Sequence, residues 1–164
     1  MLVFKDATTN KTTVKVTDFG YSTLTVGEAG KVLLPKSRPW NAPEHHFGEF
    51  IATEAKKTDV YSFGMLCLWV LFGDRLSDIL PHNTESGTES VSFDVSTQHH
   101  TLLERLKDED QVEHFAAQLM HSVPDLNADY MIYLKEIFSL TVPLNPEKRT
   151  SDLGKLVGLL RQDR

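Results

Sequence analysis

Cysteine is almost absent: Cys67 is the only one in 164 residues, so the chain cannot close a disulfide within itself. A disulfide-built secreted domain is excluded, and an intracellular setting, cytoplasm or nucleus, is expected. An excess of positive charge is missing as well. Seventeen Lys and Arg stand against 23 Asp and Glu, for a formal charge of −6 and a pI near 5.6. Nucleic-acid binding wants clustered cations, and the densest basic spot away from the ends is Lys56-Lys57, which reads as a solvated loop. Long apolar runs are also lacking. Met1-Leu2-Val3-Phe4 gives way at once to Lys5-Asp6, which leaves no room for a signal-peptide core. The longest apolar stretch, Val60 to Gly73, contains Ser62 and lies between Asp59 and Asp74. It is too short to cross a bilayer and predicts a buried core helix, with Cys67 inside it as an inert thiol. No nucleic-acid or membrane partner is expected.

What is present suits one soluble domain. Apolar residues make up 40% and charged residues 24%, and the length supports one core but not two. Leu2-Val3-Phe4 and Val14-Lys15-Val16 are β-prone runs separated by the turn-prone Asp6-Ala7-Thr8-Thr9-Asn10, which predicts a hairpin. Residues 18 to 44 carry Gly20, Gly27, Gly30, Pro35, Pro39 and Pro43, which is loop chemistry. Thr58 can cap a helix from about Asp59 to Phe72, apolar on nearly every face, with Gly73 as its stop. Within it Phe63, Met65, Leu66 and Trp69 read as core packing. Residues 74 to 98 are polar and irregular and predict a flexible insertion.

Three further helices are expected. Asp110 and Glu113 form a capping-box pattern ahead of Val112, Phe115, Ala116 and Leu119. Asn127 can cap a helix bearing Met131, Leu134, Ile137 and Phe138. Thr150 or Ser151 can cap a last one, with Leu153, Leu156, Val157 and Leu160 at helical spacing. No internal repeat is present, which speaks against a repeat-built interaction protein. The predicted fold class is mainly α, with one short β-hairpin at the N-terminus.

One ordered set of motifs carries chemistry. The strand-like Thr13-Val14-Lys15-Val16-Thr17 leads into Asp18-Phe19-Gly20, Ala42-Pro43-Glu44 follows after a loop-like interval, and Thr58-Asp59-Val60-Tyr61-Ser62-Phe63-Gly64 opens the apolar helix. Asn145-Pro146-Glu147-Lys148-Arg149 comes near the end. A carboxylate such as Asp18 suits Mg²⁺, a hard cation that takes one or two protein carboxylates plus phosphate oxygens. The paired histidines His45-His46 and His99-His100 invite a metal reading, but adjacent histidines do not face one site and no cysteine pattern accompanies them. They are expected to be ordinary surface residues.

In motif order the chain resembles the C-terminal lobe of a protein kinase, where DFG and APE bracket the activation segment. The resemblance covers residues 1–164, starting at the strand after the catalytic loop, with 18–44 as the activation segment. It implies that Asp18 contacts Mg-ATP, that Phe19 packs beneath the site and that Gly20 permits the backbone turn. Glu44 is then structural and pairs with a buried Arg, for which Arg149 stands in the matching motif, although Thr150 follows where the family more often has Pro. Asp59 would accept hydrogen bonds from the catalytic loop. Ser37 and Trp40 lie on the substrate-side loop and favour serine/threonine specificity in a tyrosine-kinase-like branch, though Lys36 replaces the usual Gly. Ser22, Thr23 and Thr25 are the hydroxyls open to activation-loop phosphorylation.

These residues include no Gly-rich loop, no phosphate-contacting strand Lys and no H-R-D with its metal-binding Asn; the resemblance would put the last of these before Met1. Phosphoryl transfer depends on positioning and electrostatic stabilisation, so the isolated chain is expected to be inactive and to hold neither ATP nor Mg²⁺ tightly. The expected function is thus a fragment of a protein kinase acting on a protein substrate. The alternative is a standalone, non-catalytic kinase-lobe relic that binds a partner protein.

Overall fold

Thr12 and Lys15 bound a strand that pairs back on the first residues of the chain. In this computed structural model, which describes residues 2–6, 8, 9, 11–15, 27, 30–79 and 95–160, β1 (Leu2–Lys5) and β2 (Thr12–Lys15) form an antiparallel pair with Val3 opposite Val14 and Phe4 opposite Thr13. The turn is built by Asp6, whose Oδ1 accepts from the Thr8 and Thr9 amides at 2.8 and 3.0 Å. Those backbone donors, Thr9 first, hold the Asp6 carboxyl below its ordinary range.

Residues 18–44, expected as loop, contain a strand, β3 (Lys31–Leu33), which pairs with β4 (Glu49–Ile51) beyond that stretch. Both strands are three residues long, too short for alternation to show in the sequence. Val32 and Phe50 face each other in register and bury against Ala55. Gly48, with φ of +92°, turns the chain into β4.

Helix α1 (Ala52–Ile79) is longer than expected at both ends. Thr58 does not cap it; the hydroxyl donates to the Ala55 carbonyl at 2.7 Å from inside the helix. Gly73 does not stop it either. A mid-helix glycine costs about 1 kcal/mol, and burial of Leu76 one turn later, worth about 1.5–3 kcal/mol, outweighs that. Tyr61, Met65, Leu68, Phe72 and Leu76 form its fully buried stripe, whereas Leu66 lies on the exposed side and is not core. The expected insertion is helical at both ends: residues 74–79 complete α1, and 95–98 open α2 (Val95–Asp108). Residues 80–94 lie outside those described.

Helix α2 has no counterpart in the sequence expectation. Its stop explains a second difference. Asp110 has φ of +54°, and the amides of Asp110 and Gln111 donate to the carbonyls of Lys107 and Leu106. That is the double bond of a Schellman motif, with Asp in the left-handed position glycine usually takes. Asp110 therefore closes α2 rather than capping α3 (Val112–Ser122), whose first flanking residue is Gln111 with no side-chain cap.

Asn127 does cap α4 (Ala128–Thr141), its Oδ1 accepting from the Asp129 amide at 2.7 Å. Before α5 (Leu153–Leu160), Thr150 Oγ1 accepts from the Asp152 amide and Asp152 Oδ1 from that of Lys155. The helices α1 to α4 share one apolar core, joined by Leu103, Leu106, Phe115, Leu119 and Phe138. Gly64 lets α1 approach α4: a Cβ there would stand 2.6 Å from Val142 Cγ1 and also strike Thr141. The described residues are mainly helical, with two small antiparallel pairs.

Candidate functional site

Two short turns far apart in sequence create a densely bonded polar site around Arg149. Ala42 is extended, and Pro43 starts a 3₁₀ turn over Pro43–Phe47 that places Glu44 in its first turn. At the other end Asn145 caps a second 3₁₀ turn, Pro146–Lys148, by accepting from the Glu147 amide at 2.9 Å, with Pro again at its start. Arg149 follows at once.

Arg149 is only 2% exposed, yet all five of its N–H donors find acceptors. Nη1 and Nη2 grip the two carboxylate oxygens of Glu44 at 2.5 and 2.9 Å. Nε donates to the Pro143 carbonyl, and the remaining two N–H groups to those of Lys57 and Leu144. The guanidinium carbon lies 4.6 Å from the centre of the Tyr61 ring. Lys57 returns the contact, donating from Nζ to the Arg149 carbonyl at 2.6 Å. Burial drives the Tyr61 hydroxyl pKa upward in spite of the neighbouring Arg149. The site ties the APE turn, α1 and the chain between α4 and α5 together, as only a planar five-donor fork can.

Upstream, the Ser37 carbonyl accepts from the amides of Trp40 and Asn41 at 2.8 and 3.0 Å, which folds residues 37–41 into a turn. Ser37 is exposed at its start. Trp40 is half-buried and meets Trp69 edge-on at 5.6 Å and His100 at 6.4 Å. Lys107 of α2 reaches under this turn and donates to the carbonyls of Pro39 and Asn41 at 2.8 and 3.0 Å.

Asp59 stands two turns inside α1, not at a helix start; its side chain is exposed, but desolvation by the protein around it raises its carboxyl pKa. His45 and His99 are buried rather than on the surface, His45 against Phe50 at 5.4 Å and His99 against Trp69 at 5.5 Å. Burial, then the neighbouring His100, lowers the His99 pKa. Asp18, Phe19, Gly20, Ser22, Thr23 and Thr25 lie outside the described residues.

Lys107 is the residue that sequence reasoning missed. Its signal was its place four residues after Leu103 and next to Leu106, on the buried stripe of α2, with Glu104 one turn back to neutralise it. Among the described residues no group of three or more His, Cys, Asp or Glu could hold a metal ion, and no helix is long and apolar enough to cross a membrane. Comparison with family models, curated proteins and solved structures found no match for this chain.

Proposed function

We propose that these 164 residues are the substrate-side lobe of a protein kinase, serine/threonine-directed, that transfers no phosphate on its own. The observation that carries the proposal is the two-bond pair between Glu44 and Arg149. It joins the APE turn to the N-P-E-K-R segment, against the helix that contains Thr58-Asp59-Val60-Tyr61-Ser62-Phe63-Gly64. Four motifs in family order supply the rest of the support.

Under this proposal Asp18 is the Mg²⁺ ligand, because one carboxylate together with ATP's phosphate oxygens suits a hard octahedral cation. Mg²⁺ would supply charge neutralisation on the transferring phosphoryl group when bound. The contribution of this chain is scaffold: Glu44 and Arg149 hold the end of the activation segment, and Ser37 and Trp40 lie on the face offered to a protein substrate.

The test has two arms. The chain alone, given labelled ATP and a generic Ser/Thr substrate, is expected to incorporate no more label than Asp18→Ala does. Fused behind a kinase N-terminal lobe and catalytic loop, it is expected to transfer phosphate to Ser/Thr peptides and to lose that activity in Asp18→Ala. A folded fusion with no Asp18-dependent transfer would overturn the proposal.

A further inference from the structure

We infer that Lys107 is the positioning residue of the Ser37–Asn41 turn, a buried cation on α2 that sets the turn's shape from below. Lysine is almost never fully buried unless paired, yet Lys107 is only 3% exposed. An ammonium carries three donors. Two of them go to backbone acceptors, the Pro39 carbonyl at 2.8 Å and the Asn41 carbonyl at 3.0 Å, while Glu104 Oε1 lies 2.5 Å from Nζ as the counter-charge of an ion pair. The two carbonyls flank Trp40, so one charged group pinches the backbone on both sides of that residue. The same Glu104 carboxylate lies 3.7 Å from Arg38 Nε, which ties the exposed start of the turn to the buried cation.

No strand ladder supports residues 37–41; their regular support is the pair of amides on the Ser37 carbonyl. Without Lys107 the Pro39 and Asn41 carbonyls would lose a charge-assisted partner in a site that excludes water, and the turn would have to reopen to hydrate them. The chain thereby makes the placement of an exposed segment depend on a helix that follows it by more than fifty positions. Any bearing on a substrate peptide at Ser37 rests on the kinase proposal; the positioning itself does not.

The test uses the full chain. Lys36-Ser37 is an exposed tryptic bond beside the turn, and Trp40 reports its packing through intrinsic fluorescence. Lys107→Met keeps the aliphatic stem and removes the donors. It is expected to speed cleavage after Lys36 about tenfold well below the melting temperature and to shift tryptophan emission to the red. Leu103→Ala, a core truncation on the same helix, is expected to lower the melting temperature without either change. Should Lys107→Met fail to fold, Glu104→Gln, which removes the counter-charge, is expected to speed the same cleavage about threefold. Cleavage and emission in the Lys107 or Glu104 variant that match the native chain, or match Leu103→Ala, would overturn the inference. No ATP or substrate enters these measurements, so their failure is distinct from failure of the kinase proposal.

Discussion

Glu44 and Arg149, 105 positions apart, meet as a two-bond ion pair in which the arginine is wholly enclosed and the carboxylate nearly so. The guanidinium could not be buried alone. The desolvation of a charge is offset only when geometry and further hydrogen bonds are good, and here three backbone carbonyls complete the set. Removing one partner strands the other. Glu44→Ala and Arg149→Ala are each expected to destabilise the chain by about 3–5 kcal/mol in urea unfolding. The double variant should fall well short of the sum, with the coupling of residues that share one network. Arg149→Lys should rescue little, since an ammonium cannot span both carboxylate oxygens and three carbonyls. Additive losses would mean two independent charges.

Gly64 gives a second stability prediction with the opposite sign from helix propensity. In an exposed helix, Gly→Ala gains about 1 kcal/mol. At this position the new methyl would collide with Thr141 and Val142 of the neighbouring segment. Gly64→Ala is therefore expected to lose about 1–3 kcal/mol by overpacking, read as a lowered denaturation midpoint with an unchanged denaturant slope.

Burial pushes the Cys67 thiol up to about 11, against about 8.5 for a free cysteine. Between those values the unfolded chain releases a proton that the folded chain keeps. Stability should then fall as pH rises from about 8.5 toward 11, and Cys67→Ala should flatten that part of the curve. At pH 8 the folded thiol should alkylate with iodoacetamide roughly tenfold or more slowly than in urea. Equal rates would place the sulfur in solvent.

Asp59 also has a raised pKa, from desolvation. Its carboxyl keeps a proton to higher pH when folded than the ordinary value of about 3.9 allows unfolded. Its stabilising contribution is thus full below about pH 3.9 and lost as pH rises through the folded pKa. Asp59→Asn is expected to raise the melting temperature slightly at pH 7 and to make no difference near pH 3. The shift should be small because the side chain is exposed.

The amino-acid order was enough to mark the apolar stripes of α3 and α4, the Asn127 cap and the front hairpin, but not that of α5, where Leu156 is buried while Leu153, Val157 and Leu160 are exposed. Each feature it marked depends on residues within about four positions, or on one short turn. It also singled out Glu44 and Arg149, through motifs rather than through any local signal of contact. Where elements end was a different matter. Gly73 and Thr58 look like boundaries on local rules, but α1 runs through both because Leu76 and Ala55 gain burial against partners distant in sequence. Asp110 looks like the start of α3 and in fact ends α2, because the left-handed turn it adopts satisfies carbonyls of the preceding helix. Lys107, His45 and His99 are polar residues that a sequence places outside. Only the assembled core, with carbonyls or aromatic rings already in position, makes their burial cheaper than their hydration.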